Sequence, residues 1–235
     1  MRIYIIRHAD PDYEKGTITP DGHEEAKALA KRMATADIDR IYTSPLGRAV
    51  HTMEYTARQI GNVKPVVQEW MQELDGLVMS HAPWAALSAW NVHGEDVLAK
   101  KPYPDHTNWH EGAYFQGIPV VEKFQEIQAH SDDFFRELGY HREQGRYRRV
   151  EPHQEQIAVF CHGGFGLTWL AHLLQIPLTL MWTGFWLPPS SVTTVLFDER
   201  SSEWAVPRCI GLGDTSHLYE AGLEVKPSGI ISNYY

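Results

Sequence analysis

The sequence predicts an α/β fold: a three-layer sandwich built on a mostly parallel, doubly wound sheet, as one domain over residues 1–235. Three observations carry this expectation. Short apolar runs alternate with amphipathic stretches of helical length. Two of those runs, within RIYII (2–6) and IAVFC (157–161), have the character of strands buried on both faces. Hydrophobic content of 43% beside 22% charged residues is that of an ordinary globular chain able to fill a core.

RIYII is the first strand, followed by a polar loop, DPDYEKG. TITPDGHEEAKALAKRM reads as a helix with Thr19 as N-cap and Pro20 at the first helical position. Its inner face is Ala26, Leu29, Ala30 and Met33, at i, i+3, i+4, i+7. The second strand, DRIYTS, ends at Ser44-Pro45, where the same N-cap and proline pairing predicts another helix start. That helix carries Ala49, Met53, Thr56, Ala57 and Ile60 inward and stops at Gly61. KPVVQEWMQELDG gives a short strand and an acidic turn. From about residue 78 to 150 the regularity fades, and Trp84, Trp90, Trp109, Pro102 and Pro104 appear. Seven of the 13 histidines lie between His81 and His153. The 78–150 stretch is expected to be a helical and loop insertion covering the active-site edge, with one clear helix in VEKFQEIQAHSDDFFREL. IAVFC then ends at His162-Gly163-Gly164. Leu167, Leu170, Ala171 and Leu174 mark the next helix, and SSVTTVLF and EWAVPRCIG are late strands.

The formal net charge is −9, so nothing at whole-chain scale points to nucleic acid or an anionic membrane. No apolar stretch approaches the ~20 residues of a membrane span, and the run before Arg7 is too short for an export signal. With only Cys161 and Cys209, no disulfide framework or thiolate metal site is expected, and the default location is cytoplasmic. His106 and His110 have metal-ligand spacing only if helical, and the nearby prolines argue against a helix.

Ligands of such sheets bind beyond the carboxyl ends of the strands. Arg7-His8, Ser44 to Arg48, and His162 each follow an apolar strand, so all three segments are predicted to open on one edge. Arg48 leans toward the mouth of its helix. Two guanidiniums and the N-termini of two helices make a seat for a phosphate dianion. A neutral imidazole there can attack phosphorus, and the neighbouring Arg holds it neutral. A carboxylic acid must protonate the leaving alkoxide.

IIRHAD, TITPDGHEEAKALA, IYTSPLGRAVHT and VFCHGGFG, in that order, resemble the histidine phosphatase superfamily, also called phosphoglycerate mutase-like. The resemblance covers residues 1–75 and 157–217. It implies a metal-independent and cofactor-free phosphatase that hydrolyses a phosphomonoester through a phosphohistidine on His8. Arg7 and Arg48 would hold the phosphate, His162 would contact it from the second half, and Gly163 would offer its N–H. The acid/base fits Glu73 best, with Glu69 and Asp75 as competitors. The partner implied is a small phosphorylated substrate, and a homo-oligomer is compatible with it.

Two departures stand out. Ala9 replaces the usual glycine of an Arg-His-Gly motif, which a negative φ would allow. The mutase-type features after the first motif and before the second half are missing, with Arg142, Arg146, Arg148 and Arg149 the nearest basic cluster. A mutase-type phosphotransferase and a non-catalytic phosphate-binding module are therefore the alternatives. Asp214 and His217 in GDTSHL read as a structural turn, and the arginine cluster as a solvated face.

Overall fold

The computed structural model describes residues 1–230 and residue 234. The chain runs β1 (Arg2–Arg7), β2 (Pro11–Asp12), β3 (Thr17–Ile18), α1 (Pro20–Met33), β4 (Arg40–Thr43), α2 (Gly47–Ile60) and β5 (Val66–Val67). After short 3-10 turns come α3 (Gly94–Ala99), α4 (Val120–Glu137), β6 (Tyr140–Glu143), β7 (Arg146–Arg149) and β8 (Gln156–Cys161). Then follow α5 (Gly163–Leu174), α6 (Leu178–Gly184), β9 (Val192–Asp198), β10 (Trp204–Asp214) and α7 (Ser216–Glu220).

The alternation of side chains across β1 and β8 builds three layers. Ile3, Ile5, Ile157 and Val159 join one core with Phe134, Phe135, Phe165 and Trp169 of α4 and α5. Tyr4, Ile6, Ala158 and Phe160 face the opposite core with Leu29, Met33 and Met53 of α1 and α2. Thr19 caps α1 as expected, its side chain accepting the Gly22 N–H at 3.0 Å. The start of α2 differs: Leu46 is the N-cap, and Ser44 lies outside the helix.

The sheet corrects the expectation of a mostly parallel one. Its eight strands run β5-β4-β8-β1-β9-β10-β7-β6. The first four are mutually parallel, and every later pairing is antiparallel. The cause is connection length. Residues 199–203 alone join β9 to β10, and Gln144-Gly145 alone joins β6 to β7. Parallel neighbours need a crossover of about a dozen residues or more, so these pairs fold back as hairpins.

The 78–150 segment divides in two. Residues 78–119 form loops, 3-10 turns and the short helix α3 beside α6, while α4 and the β6–β7 hairpin belong to the layers and the sheet. On α4, Ser131 receives the Trp169 indole N–H at 2.8 Å, and Phe135 packs on Tyr147 and Phe197.

Candidate active site

Strand register brings the predicted residues together. Arg7 of β1 pairs with Cys161 of β8, and β4 lies on the other side of β8. The chain ends of all three parallel strands therefore meet. The His8 N–H donates to Cys161 O at 2.9 Å, and the Ser44 N–H donates to Phe160 O at 2.9 Å. The His8 and His162 rings stand 5.2 Å apart, centroid to centroid, at 57°.

His8 Nδ1 lies 2.8 Å from Ala9 O. A carbonyl only accepts, so Nδ1 carries the proton and Nε2 keeps its lone pair in the neutral ring. His162 Nε2 lies 2.7 Å from Ser44 Oγ, and its buried Nδ1 has no protein partner. Ser44 Oγ accepts the Leu46 N–H at 3.2 Å, and its hydroxyl proton can be donated to His162 Nε2. With Ser44 as the donor, the proton of His162 lies on Nδ1, facing no protein acceptor. Both rings are held well below the usual imidazole range. Burial is the main cause for each; Arg7 follows for His8, and the His8 ring and Arg48 follow for His162.

Arg7 is buried and its Nη1 donates to Leu187 O at 2.7 Å and Ser228 O at 2.8 Å. Nε of Arg7 and Nε of Arg48 are both buried without a protein acceptor. The Arg48 guanidinium sits 5.5 Å from the centre of the Tyr13 ring. Arg7, Arg48 and Gly163 line one cavity of about 540 Å³.

Glu73 reaches the same place from the loop after β5. One carboxylate oxygen accepts the N–H groups of Phe165 (2.7 Å) and Leu74 (3.1 Å), and the other accepts Gly164 N–H at 3.1 Å. Glu73 thus caps α5. Burial raises its pKa above the usual carboxylate range, opposed by those three N–H groups and by Arg7. Of its competitors, Glu69 is exposed and does not line the cavity, whereas Asp75 is exposed at the cavity wall.

The paired glycines meet site residues rather than the sheet. A Cβ on Gly163 would lie 3.4 Å from Arg7 Nε. One on Gly164 would lie 2.8 Å from Glu73 Oε1 and 2.7 Å from Trp90 Cδ2, closer than side chains tolerate. Ala9 fits because its φ is not positive; its methyl packs with Ile18 and Ala26, and its N–H donates to Thr52 Oγ1 at 2.9 Å.

Sequence reasoning placed Ser44 at this edge but missed its contact with His162, and it missed Trp182, Phe185, Trp186 and the segment around Ser228. The Ser44–His162 contact could have been found, since the two residues follow neighbouring parallel strands. Ser228 carried no signal, because its contribution to Arg7 is a backbone carbonyl. Asp214 and His217 take the structural part expected of them. Arg32 bonds Asp214 at 2.7 Å, and His217 lies 3.2 Å from Ser190 Oγ, whose N–H donates to His8 O at 3.0 Å. His106 and His110 lie in turns, not a helix. Arg142 is turned to Tyr147 and Asp132, and Arg148 and Arg149 pair with glutamates, all away from the cavity.

Comparison with known proteins decides the family. The model of the histidine phosphatase superfamily, branch 1, matches residues 3–208. The chain belongs to that superfamily. It is 25% identical over 191 residues to the putative phosphoserine phosphatase 2 of Hydrogenobacter thermophilus, covering 77% of this chain and 82% of that protein. Among solved structures, phosphoserine phosphatase from Entamoeba histolytica in complex with 3-phosphoglyceric acid superposes with a TM-score of 0.61 at 19% identity, over 92% of this chain and 98% of that one. A mycobacterial glucosyl-3-phosphoglycerate phosphatase gives a TM-score of 0.61 at 18% identity, over 90% and 98%. Both share the α/β architecture of this histidine phosphatase-superfamily chain.

Proposed function

We propose that this histidine phosphatase-superfamily protein hydrolyses a small phosphomonoester through a phosphohistidine on His8, without a metal ion. The observation that carries the reading is the bond from His8 Nδ1–H to the Ala9 carbonyl, which fixes the tautomer and leaves a nucleophilic Nε2.

Arg7, Arg48 and Gly163 seat the phosphoryl group, and the Nδ1–H of His162 donates to one of its oxygens. His8 Nε2 attacks phosphorus and forms a P–N bond while the P–O bond to the alcohol breaks. Glu73, protonated, gives its proton to the departing oxygen. In the second half, water attacks phosphorus and loses a proton to the Glu73 carboxylate. The P–N electrons return to Nε2, phosphate leaves, and Glu73 is again an acid. A raised Glu73 pKa and depressed imidazole pKa values suit these roles.

Phosphotransfer to a second substrate hydroxyl has less support. It needs a second anion seat, and no cation other than Arg7 and Arg48 lines the cavity among the described residues. One domain suffices for the reaction, with residues 78–119 as the part of the insertion that serves as its lid. No helix among the described residues is long and apolar enough to cross a membrane. Two free cysteines fit a reducing, cytoplasmic setting.

The test is steady-state hydrolysis of p-nitrophenyl phosphate. His8→Ala is expected to lower kcat by roughly 10³-fold or more, as loss of a covalent nucleophile does. Chelator is expected to leave the wild-type rate unchanged. An active His8→Ala variant defeats the reading.

A further inference from the structure

The cavity is divided by chemistry. The phosphate end holds Arg7, Arg48 and the start of α5. The rest of the wall carries the aromatic rings of Trp90, Trp182, Phe185 and Trp186, interspersed with the uncharged polar side chains of Ser88, Asn91 and Thr183. The indole N–H of Trp182 is spent on Thr168 Oγ1 at 2.9 Å, and that of Trp186 on Ser228 O at 3.3 Å. Both rings therefore offer the cavity apolar surface rather than a donor.

Trp90 stands where the alcohol must leave. A Cβ on Gly164 would touch both Glu73 Oε1 and Trp90 Cδ2, so carboxylate and indole flank the same point. An alkoxide protonated by Glu73 is released against the face of Trp90. The exposed carboxylate of Asp75 lines the same cavity. The Arg7 Nη1 that could have paired a second anion already serves two carbonyls.

Resting on the phosphatase reading, we propose that the alcohol is aromatic and carries no anionic group, selected by the Trp90 face and the Asp75 charge. A ring gains area and stacking against the indoles. A carboxylate on the leaving group meets Asp75 with no cation beyond the phosphate-seating Arg7 and Arg48 lining the cavity among the described residues, and a like-charged contact disfavours it. A cavity near 540 Å³ also holds a group much larger than a three-carbon acid.

Alcohols of similar basicity isolate recognition from leaving-group reactivity. The panel is 2-phenylethyl phosphate, its para-carboxylate, phosphoserine and 3-phosphoglycerate, with p-nitrophenyl phosphate as a general reporter. The expected result is a kcat/KM for 2-phenylethyl phosphate at least about tenfold above each of the three carboxylates. Asp75→Asn narrows the ratio between 2-phenylethyl phosphate and its carboxylate by raising the latter. Trp90→Leu narrows the ratio between 2-phenylethyl phosphate and phosphoserine by lowering the former. Equal or better turnover of phosphoserine or 3-phosphoglycerate by the wild-type protein overturns the substrate class and leaves the phosphatase reading standing. No turnover of any member, p-nitrophenyl phosphate included, overturns both.

Discussion

At His8 the side chain has two nitrogens and two different fates. Nδ1 is fixed by a carbonyl and Nε2 is left to react. Burial holds the ring below its usual range, so it stays neutral under mildly acid conditions. Glu73 is shifted the other way, upward, and keeps its proton beyond the usual carboxylate range. For kcat/KM, the nucleophile is active once deprotonated and the acid is active while protonated. The rising limb is therefore set by His8 below pH 6.5, and the falling limb by Glu73 above pH 4.5. The expected profile is a bell whose rising limb belongs to His8 and whose falling limb belongs to Glu73. Glu73→Gln removes the Glu73-dependent falling limb, and an unchanged profile in that variant contradicts the assignment. Sequence reasoning proposes the same pair of roles but weights the cause of the His8 shift differently. It expected Arg to depress His8, whereas burial does more, and the depth of a strand end cannot be read from composition.

Among elements, the parallel strands were legible and the hairpins were not. β1 and β8 are apolar on both faces, which is a strong pattern. β6 and β7 present YHRE and RYRR, where only Tyr140 and Tyr147 are buried. Two aromatic anchors among six polar residues look like a loop, yet those tyrosines pack on Phe197. The last segment of the chain was equally opaque. Ser228 holds Arg7 through its carbonyl and Asp10 through its hydroxyl at 2.9 Å, and Lys226 pairs with Asp21 at 2.8 Å. Ending the chain after Glu224 removes all three contacts. The expected outcome is a raised KM for p-nitrophenyl phosphate, on the order of tenfold from a lost buried charged hydrogen bond, with the helical circular dichroism retained. An unaltered KM means that this segment does not position Arg7.

For the molecule as a whole, the site is the meeting of a parallel half-sheet with loops from both halves of the chain. That convergence was legible because strand-end motifs in a parallel sheet share an edge. The order of strands beyond β1 was not, since it depends on loop lengths and edge pairing. One buried carboxyl links the site's support to global stability. Glu25 of α1 accepts the Asp10 N–H at 2.9 Å beneath the loop that follows His8. Burial, first among the causes, pushes it from the model-peptide value of 4.5 up to about 7. A raised carboxyl favours folding most when protonated. Its contribution is full below pH 4.5, declines as pH rises, and is gone above about 7. At ~1.4 kcal/mol per pH unit the loss approaches ~3 kcal/mol. Relative to wild type, Glu25→Gln is expected to gain thermal stability between pH 5 and pH 8; a constant offset across that range contradicts it.

The central claim is that His8 Nε2 becomes covalently bonded to phosphorus. Its most direct measurement is rapid mixing with a ³²P-labelled phosphomonoester, a quench in alkaline denaturant, and peptide mapping. The account predicts an acid-labile, base-stable label on the peptide carrying His8, absent in His8→Ala. Label on another residue, or full turnover with no labelled protein at any time, would contradict it.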